Sequence, residues 1–549
     1  MSVPRLPWPD LLAGLSLAGL LLPEAVAYAS IAGLPPQAGV IALFAGLLCY
    51  ALLGTSRFAI VSATSSSAAV LAAAATSVGG VDLSLRLTAA IGLVLVTGLL
   101  FTAASAARIG SVSDFIAKPV LRGFAFGLAL VIVFKQCASV LGASLHHTDI
   151  VRQLIDLGDQ FATWNWAAAL LALCALVLLI LFARLPHLPG GVLVITLGIV
   201  AGHWIDLAHY GIGRVGDISL QFAAPSVPLL SYPQWLRLAE LGVAMVLILY
   251  AESYSSIRTF AMKHGDAVTP NRDLLALGVA NLLSGLFQGM PVGAGYSATS
   301  ANEAAGAVSR LAGFAAVVTL LVVVLTLLPQ VALTPTPVLA AIVIYAVSHT
   351  LRLAVFRPYF TWRRDRLIVL LAVLCVLAFG VLDGLLASIA ISLLMLLQRL
   401  SASSVSVLGR LGTSHDFVDC NAWPDAHRIP HMLILRPETG LFFANAERIL
   451  TQVQNTITRT GGDVRTIILS LEESPDLDSS TIEALVNFHA ALRAQHKQLL
   501  FARLKTAARH VLLRAQIVGL DPAALSELSV DDAVHMALLA ETDTTSLSE

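Results

Sequence analysis

Two copies of a polar tetrapeptide, Ser-Ala-Thr-Ser, stand at Ser62 to Ser65 and at Ser297 to Ser300, and a hydrophobic stretch carrying a lone glutamate precedes each. Glu24 lies in LAGLLLPEAVAYAS and Glu252 in VAMVLILYAESYSS. An unpaired carboxylate in hydrocarbon costs roughly 2.5 to 3.5 kcal/mol even on lenient insertion scales, so each acid must face protein or water, or carry a proton. Polar or unwound backbone persists at membrane depth only where protein encloses it, and half-helix N-termini facing such a cavity attract anions. The pattern predicts an anion site assembled from two related halves. Ser62, Ala63, Thr64 and Ser65 would form one side, and Ser297, Ala298, Thr299 and Ser300 the other. Two helix N-termini offer unpaired N–H groups and about half a positive charge each. The hydroxyls add donors or cap their helices, and the small side chains let backbone come close to a ligand.

The acids suggest what accompanies the anion. A protonatable carboxyl beside an anion takes up its proton when the like charge arrives, so Glu24 is the candidate proton-coupling group. Permanent protonation, with Glu24 a structural donor, is the alternative. Glu252 has Ser253, Ser255 and Ser256 around it. Glu252 and Ser256 with backbone carbonyls form a candidate sodium site, which needs several oxygen ligands in a compact shell. Ala27 and Tyr28 would shape the cavity wall. Phe58 and Tyr296 flank the predicted helix starts and serve either the wall or packing. Arg122 and Lys135 are expected to snorkel to the headgroups, and His146, His147 and His209 to lie in polar loops.

These residues need a membrane scaffold to position them, and the composition supplies one. Apolar residues make up 57% of the 549 and charged residues 12%, with a mean hydropathy of +0.82, far above a soluble domain. Apolar runs near the ~20 residues needed to cross a bilayer recur from Leu11 to Leu400, about fourteen in all. The runs after Arg57 and after Pro291 begin too polar to be ordinary spans. Asp383-Gly384 reads as a hairpin turn. With the N-terminus inside, Arg57, Arg108, Lys118, Arg258, Lys263 and Arg363 share one side, which puts both termini in the cytoplasm. A formal net charge of −1 suggests no nucleic-acid partner. The five cysteines show no CxxC or His pairing at ligand spacing, so neither a metal nor a disulfide is expected.

Past Arg399 the composition turns polar. The expected organisation is a transmembrane domain over 1–400, a Ser-rich linker over 401–430 and a soluble α/β domain over 431–549. Within the last, strands are predicted at Met432 to Leu435, Leu441 to Phe443, Thr466 to Leu471 and Gln498 to Phe501. Helices are predicted at Ala444 to Ile457, after an Asp478 N-cap, and at Ala507 to Gln516.

Several segments carry a resemblance. Pro23 to Ala29, Ala32-Gly33-Leu34-Pro35-Pro36, Gly54-Thr55-Ser56-Arg57, Asn271-Arg272-Asp273-Leu274, Gly278-Val279-Ala280-Asn281 and Pro291 to Ser300 are similar to motifs of the SulP (sulfate permease) family of anion transporters. Asp476-Leu477-Asp478-Ser479-Ser480 resembles the phosphorylation loop of a STAS domain. The resemblance implies a polytopic α-helical membrane protein with a 7+7 inverted repeat, two short half-helices opposed across a central anion, a cytoplasmic STAS domain and a homodimer. The half-helices would begin at the two Ser-Ala-Thr-Ser copies. Two departures matter: many relatives carry arginine at Ala298 and glutamine at Glu24.

The resulting expectation is a secondary active anion transporter of the bacterial inner membrane. It would be a proton-coupled symporter of a dicarboxylate (fumarate or succinate) or an oxyanion (sulfate or bicarbonate), without other cofactors. A sodium-coupled bicarbonate symporter and a passive anion channel are the alternatives. Ser479 is the candidate regulatory phosphorylation site, and the STAS domain the surface for a regulatory partner. No GxGD, HExxH or DDxxD motif supports an intramembrane enzyme.

Overall fold

The computed structural model describes residues 8–110, 118–143, 150–182, 184, 190–214, 225–331, 333–361, 365–401, 404–460 and 463–546. The chain divides into two compact units, residues 1–392 and 393–549.

The first unit runs through α1 (Trp8–Ile31), α2 (Pro36–Leu53), β1 (Val61–Ser62), α3 (Ser65–Gly79), α4 (Leu83–Ala106), α5 (Lys118–Val140), α6 (Ile150–Asp159), α7 (Trp166–Phe182) and α8 (Gly190–Trp204). It continues through α9 (Tyr232–His264), α10 (Pro270–Leu286), β2 (Gly293–Ala294), α11 (Tyr296–Ala304), α12 (Leu311–Val331), α13 (Thr336–Ser348), α14 (Arg357–Thr361) and α15 (Arg366–Phe379), and α16 (Val381–Ser401) runs across the boundary at residue 392. Among the described residues five stretches have the length and apolarity to cross a bilayer: α1, α2, α4, α5 and Thr336–Thr361. Six shorter apolar helical stretches of 10–17 residues accompany them among the described residues. Local chemistry sets the ends. Pro36 opens α2, the Asp82 carboxylate caps α4, and Gly265 closes α9 in the left-handed conformation at φ 69°. The predicted Asp383-Gly384 turn is corrected. The chain reverses at Gly380, whose φ of 82° only glycine adopts readily, and Asp383 sits in the first turn of α16, where a carboxylate suits the helix dipole.

Small residues bring the central helices together. A Cβ at Gly98 would lie 2.6 Å from the Leu282 nitrogen, and one at Gly278 2.9 Å from the Thr102 nitrogen, so α4 and α10 meet nearly backbone to backbone. A buried network joins α2 to α10: the Tyr50 hydroxyl (2.9 Å), the Thr55 N–H (2.8 Å) and the Thr55 hydroxyl (2.6 Å) all donate to the Asp273 carboxylate. Asp10 does similar work at the start of α12, accepting from Val308 N, Ser309 N and Ser309 Oγ.

The second unit is a sheet in the order β4-β3-β6-β7-β8, with β5 also paired to β3. Its elements are β3 (Val405–Leu411), β4 (Phe417–Asp419), β5 (Ala426–His427), β6 (Met432–Pro437), α17 (Ala446–Thr460), β7 (Thr466–Ser470), α18 (Ser479–Ala494), β8 (Gln498–Ala502), α19 (Thr506–Ala515) and α20 (Val530–Ser546). Strands β6, β7 and β8 are parallel, and β3 is antiparallel to β6. Period-2 alternation builds two cores: Leu433, Leu435, Ile467 and Leu469 pack with α17 to α19, while Met432, Ile434 and Ile468 pack with α20. Two expectations fall here. Residues 401–430 are not a linker, because SVSVLGRL alternates as a strand and pairs with β6 along Val405 to Leu408. Leu441 to Phe443 are not a strand, because hydrogen bonds from Leu441 N to Ser474 Oγ and from Phe442 N to Asn445 Oδ1 bend them into a loop before α17.

Candidate functional site

Both polar tetrapeptides fall where a short strand leads into a short helix, and the two strands pair antiparallel, Val61 with Ala294 and Ser62 with Gly293. That pairing brings the starts of α3 and α11 together in the interior of the first unit. Position and register nevertheless differ. The N-cap of α3 is Thr64, third in its tetrapeptide, whereas the N-cap of α11 is Gly295, two residues before its tetrapeptide begins. The copies are therefore displaced by about one helical turn, and the two helices do not begin at equivalent residues of the repeat. Glycine at the second cap removes a side-chain acceptor and leaves backbone there.

The first helix start is tightly bonded. Thr64 and Ser67 form a capping box, with Ser67 N donating to Thr64 Oγ1 (3.2 Å) and Thr64 N to Ser67 Oγ (3.0 Å). Ser67 Oγ also reaches the Pro291 carbonyl at 3.1 Å, bridging to the chain ahead of β2. Ser66 Oγ donates to the Glu252 carboxylate at 2.5 Å and Thr64 Oγ1 lies 3.4 Å from the same oxygen. Glu252 on α9 thus meets the N-terminal turn of α3. On α1, which packs against α3, Glu24, Ala27 and Tyr28 are buried. Close packing holds α1 there: a Cβ at Gly39 would lie 2.0 Å from the Ala25 carbonyl oxygen.

The remaining predicted residues divide. Ser62 and Ala63 are buried, Ser65 is half-buried, and the Ser62 hydroxyl turns onto the adjacent Ala63 carbonyl. Thr299 is fully buried and accepts from Ile60 N at 3.3 Å, so its hydroxyl braces β1. Ala298 is buried, Ser300 half-buried and Ser297 exposed. Ser253 accepts from Ala294 N at 2.8 Å and anchors β2, while Ser256 Oγ is buried without a hydrogen-bond partner among the described residues, one turn beyond Glu252. Phe58 packs with Phe260 and carries His264 against its ring; Tyr296 is exposed and leans on Phe260. Arg122 bonds Tyr359 Oη at 3.0 Å, Lys135 is exposed, and His209 is exposed in a turn. His146 and His147 lie outside the described residues. Ser479 is exposed as the first residue of α18, beside the capping Asp478.

Four contributors were not expected from the sequence. Ser66 and Ser67 follow directly on the predicted tetrapeptide, and a run of four hydroxyls from Thr64 to Ser67 was the available signal. Asn281 donates to the Val292 carbonyl (2.9 Å) and accepts from Val292 N (2.9 Å), fixing the chain just before β2. Gly46 lets α2 lie on β1: a Cβ there would meet the Val61 oxygen at 2.3 Å.

Residues 8–373 match the family model of the sulfate permease family, and residues 424–533 that of the STAS domain. The chain belongs to the sulfate permease family. A probable sulfate transporter of Mycobacterium tuberculosis is 30% identical over 511 residues, covering 93% of this chain and 91% of its own. Sulfate transporter 3.2 of Arabidopsis thaliana is 27% identical over 524 residues, covering 90% and 80%. Among solved structures, the murine Slc26a9 anion transporter in its inward-facing state aligns with a TM-score of 0.90 at 21% identity, over 98% of this chain and 92% of that one. The transmembrane domain of the cyanobacterium bicarbonate transporter BicA aligns with a TM-score of 0.62 at 22% identity, over 69% and 96%. This sulfate permease family member is a multi-pass membrane anion transporter with a C-terminal STAS domain, and not an enzyme.

Proposed function

We propose that the protein is a proton-coupled symporter of a small oxyanion or dicarboxylate, with the anion held between the N-termini of α3 and α11 and the proton carried by Glu24. The observation that carries this reading is the antiparallel pairing of Val61–Ser62 with Gly293–Ala294 immediately ahead of two short helices. It supports a site of converging backbone N–H groups and positive dipole ends, which takes an anion without a fixed cation. Ala298 contributes no charge, so the coupled proton offsets the anion's charge. Sulfate is the first substrate to test because the relatives described above are named for it; bicarbonate, fumarate and succinate follow. The same reading has the protein in a bacterial inner membrane with both termini cytoplasmic, as a homodimer, with Ser479 a phosphorylation site at a helix start where a phosphate gains from the dipole.

The deciding experiment is uptake of radiolabelled sulfate, bicarbonate and fumarate into proteoliposomes with and without an inward proton gradient, for wild type and Glu24→Gln. The expected result is gradient-driven accumulation of one anion that the variant loses. Flux indifferent to the gradient in both proteins rejects the proton reading and favours a passive channel. One observation favours a second reading, sodium coupling: Ser256 Oγ is buried and has no hydrogen-bond partner among the described residues, one turn from Glu252. Uptake driven by a sodium gradient and abolished by Ser256→Ala would establish it.

A further inference from the structure

Helix α6 leaves apolar side chains uncovered. Arg152, Asp156 and Asp159 recur at helical spacing along one side and Leu154, Ile155 and Gly158 along the other, while the edge between them carries Gln153, half-buried Leu157 and Ile150, which packs against the core. On a protein in water the apolar stripe turns inward. Here Gln153 is only 4% exposed, whereas Leu154 and Ile155 are 54% and 58% exposed. Gln153 and Asp156 both have interaction partners within the protein.

The segment that follows identifies what covers the apolar side. Phe161, Trp164 and Trp166 form one aromatic cluster, with ring centroids 4.7, 5.4 and 5.7 Å apart, and Trp164 Nε1 donates back to the Leu157 carbonyl of α6 at 3.2 Å. Trp166 begins α7, and the exposed stripe it opens continues through Leu170, Leu173 and Val177. In a multi-pass membrane protein that stripe faces lipid. Asn165 Nδ2 donates to the Tyr210 carbonyl at 2.9 Å, which brings the exposed Tyr210 ring and the neighbouring exposed Trp204 to the same end of the helices. Tryptophan and tyrosine gathered at one end of lipid-facing helices mark the headgroup level.

We propose that α6 is an interfacial helix: it lies in the headgroup layer at the aromatic end of α7, its Ile150–Gln153–Leu157 edge on the protein, its Asp159 side toward water and its Leu154–Ile155 side in the acyl boundary. The occupant of the exposed face is lipid, because the stripe is continuous through the tryptophan cluster with the lipid face of α7. Such a helix anchors the connection between α5 and α7 at a fixed depth.

The test is site-directed spin labelling of the full chain in proteoliposomes. The exposed Cys137 and Cys174 and the part-exposed Cys420 are replaced by alanine, and Leu154→Cys, Ile155→Cys and Asp159→Cys are made one at a time. Collision rates with oxygen and with a water-soluble nickel chelate are compared. The expected result is an oxygen-to-nickel ratio several-fold higher at 154 and 155 than at 159, with equal depth for the first two. A ratio at 154 and 155 equal to that at 159 means water covers the face and overturns the proposal. Low collision with both reagents, together with dipolar broadening between labels on separate chains, means a second copy covers it and overturns the proposal equally. Positions 154 and 155 report independently, so one folded variant suffices.

Discussion

The Glu252 carboxylate and the Ser66 hydroxyl show how much rides on single groups. A hydrogen bond to a charged group is worth about 1.5 to 3 kcal/mol, so Ser66→Ala is expected to lower initial-rate anion uptake by roughly tenfold or more. Ser66 sits in the first turn of a helix that begins the candidate site, and its loss leaves a Glu252 oxygen without that donor. An unchanged rate in proteoliposomes would remove Glu252 and Ser66 from the site. In the STAS domain, Asp478 caps α18 through Thr481 N (2.8 Å) and also accepts from Phe443 N (2.7 Å). Burial pushes its carboxyl up, but the hydrogen bonds from Thr481, Phe443 and Ser480 outweigh burial and hold it below the usual carboxylate range. A carboxylate lowered on folding stabilises above its unfolded value and loses that contribution as pH falls through the folded one. Asp478→Ala should therefore cost about 0.5 to 2 kcal/mol at neutral pH in urea denaturation of the STAS domain, with the difference from wild type shrinking below about pH 4. A cost independent of pH would mean that packing, not the charged cap, is responsible.

Elements here depend on close approach and on strand order. Gly46 exists for the contact of α2 with the Val61 carbonyl. Gly46→Ala is expected to cost about 1 to 3 kcal/mol by forcing these elements apart, read as a lower melting temperature in detergent, and to weaken transport because β1 positions α3. A melting temperature equal to wild type would show that the contact relaxes freely. Strand β3 makes a different demand. It lies inside the sheet between β4 and β6, so a fragment of residues 404–549 should unfold cooperatively in urea. A fragment of residues 431–549 exposes the β6 edge and should aggregate. Equal behaviour of the two would restore 401–430 to the status of a linker.

As a whole, the molecule keeps separate hydrophobic cores in its two compact units, and units with separate cores unfold separately. Calorimetry of the intact protein should show two transitions, only one of which survives in the 404–549 fragment; a single transition would mean that the units unfold together. Polytopic class, the two acids in apolar helices and the polar starts of two short helices were all legible in the chain, because hydropathy, period and lone charges are local properties that lipid enforces residue by residue. The α/β alternation beyond residue 431 was legible for the same reason, since buried parallel strands write themselves as short apolar runs. Residues 405–411 escaped notice because serine-rich alternation resembles a loop until a partner strand buries one face. Register escaped for a deeper reason. Two identical tetrapeptides look equivalent along a chain, yet a helix begins where backbone N–H groups find partners, and those partners were Thr64 in one half and the Gly295 backbone in the other. The meeting of Ser66 with Glu252, 186 residues apart, and of Asp273 with Tyr50 and Thr55 was likewise set by how helices pack. Contacts at that separation depend on the three-dimensional path of every element between them, which no local pattern encodes.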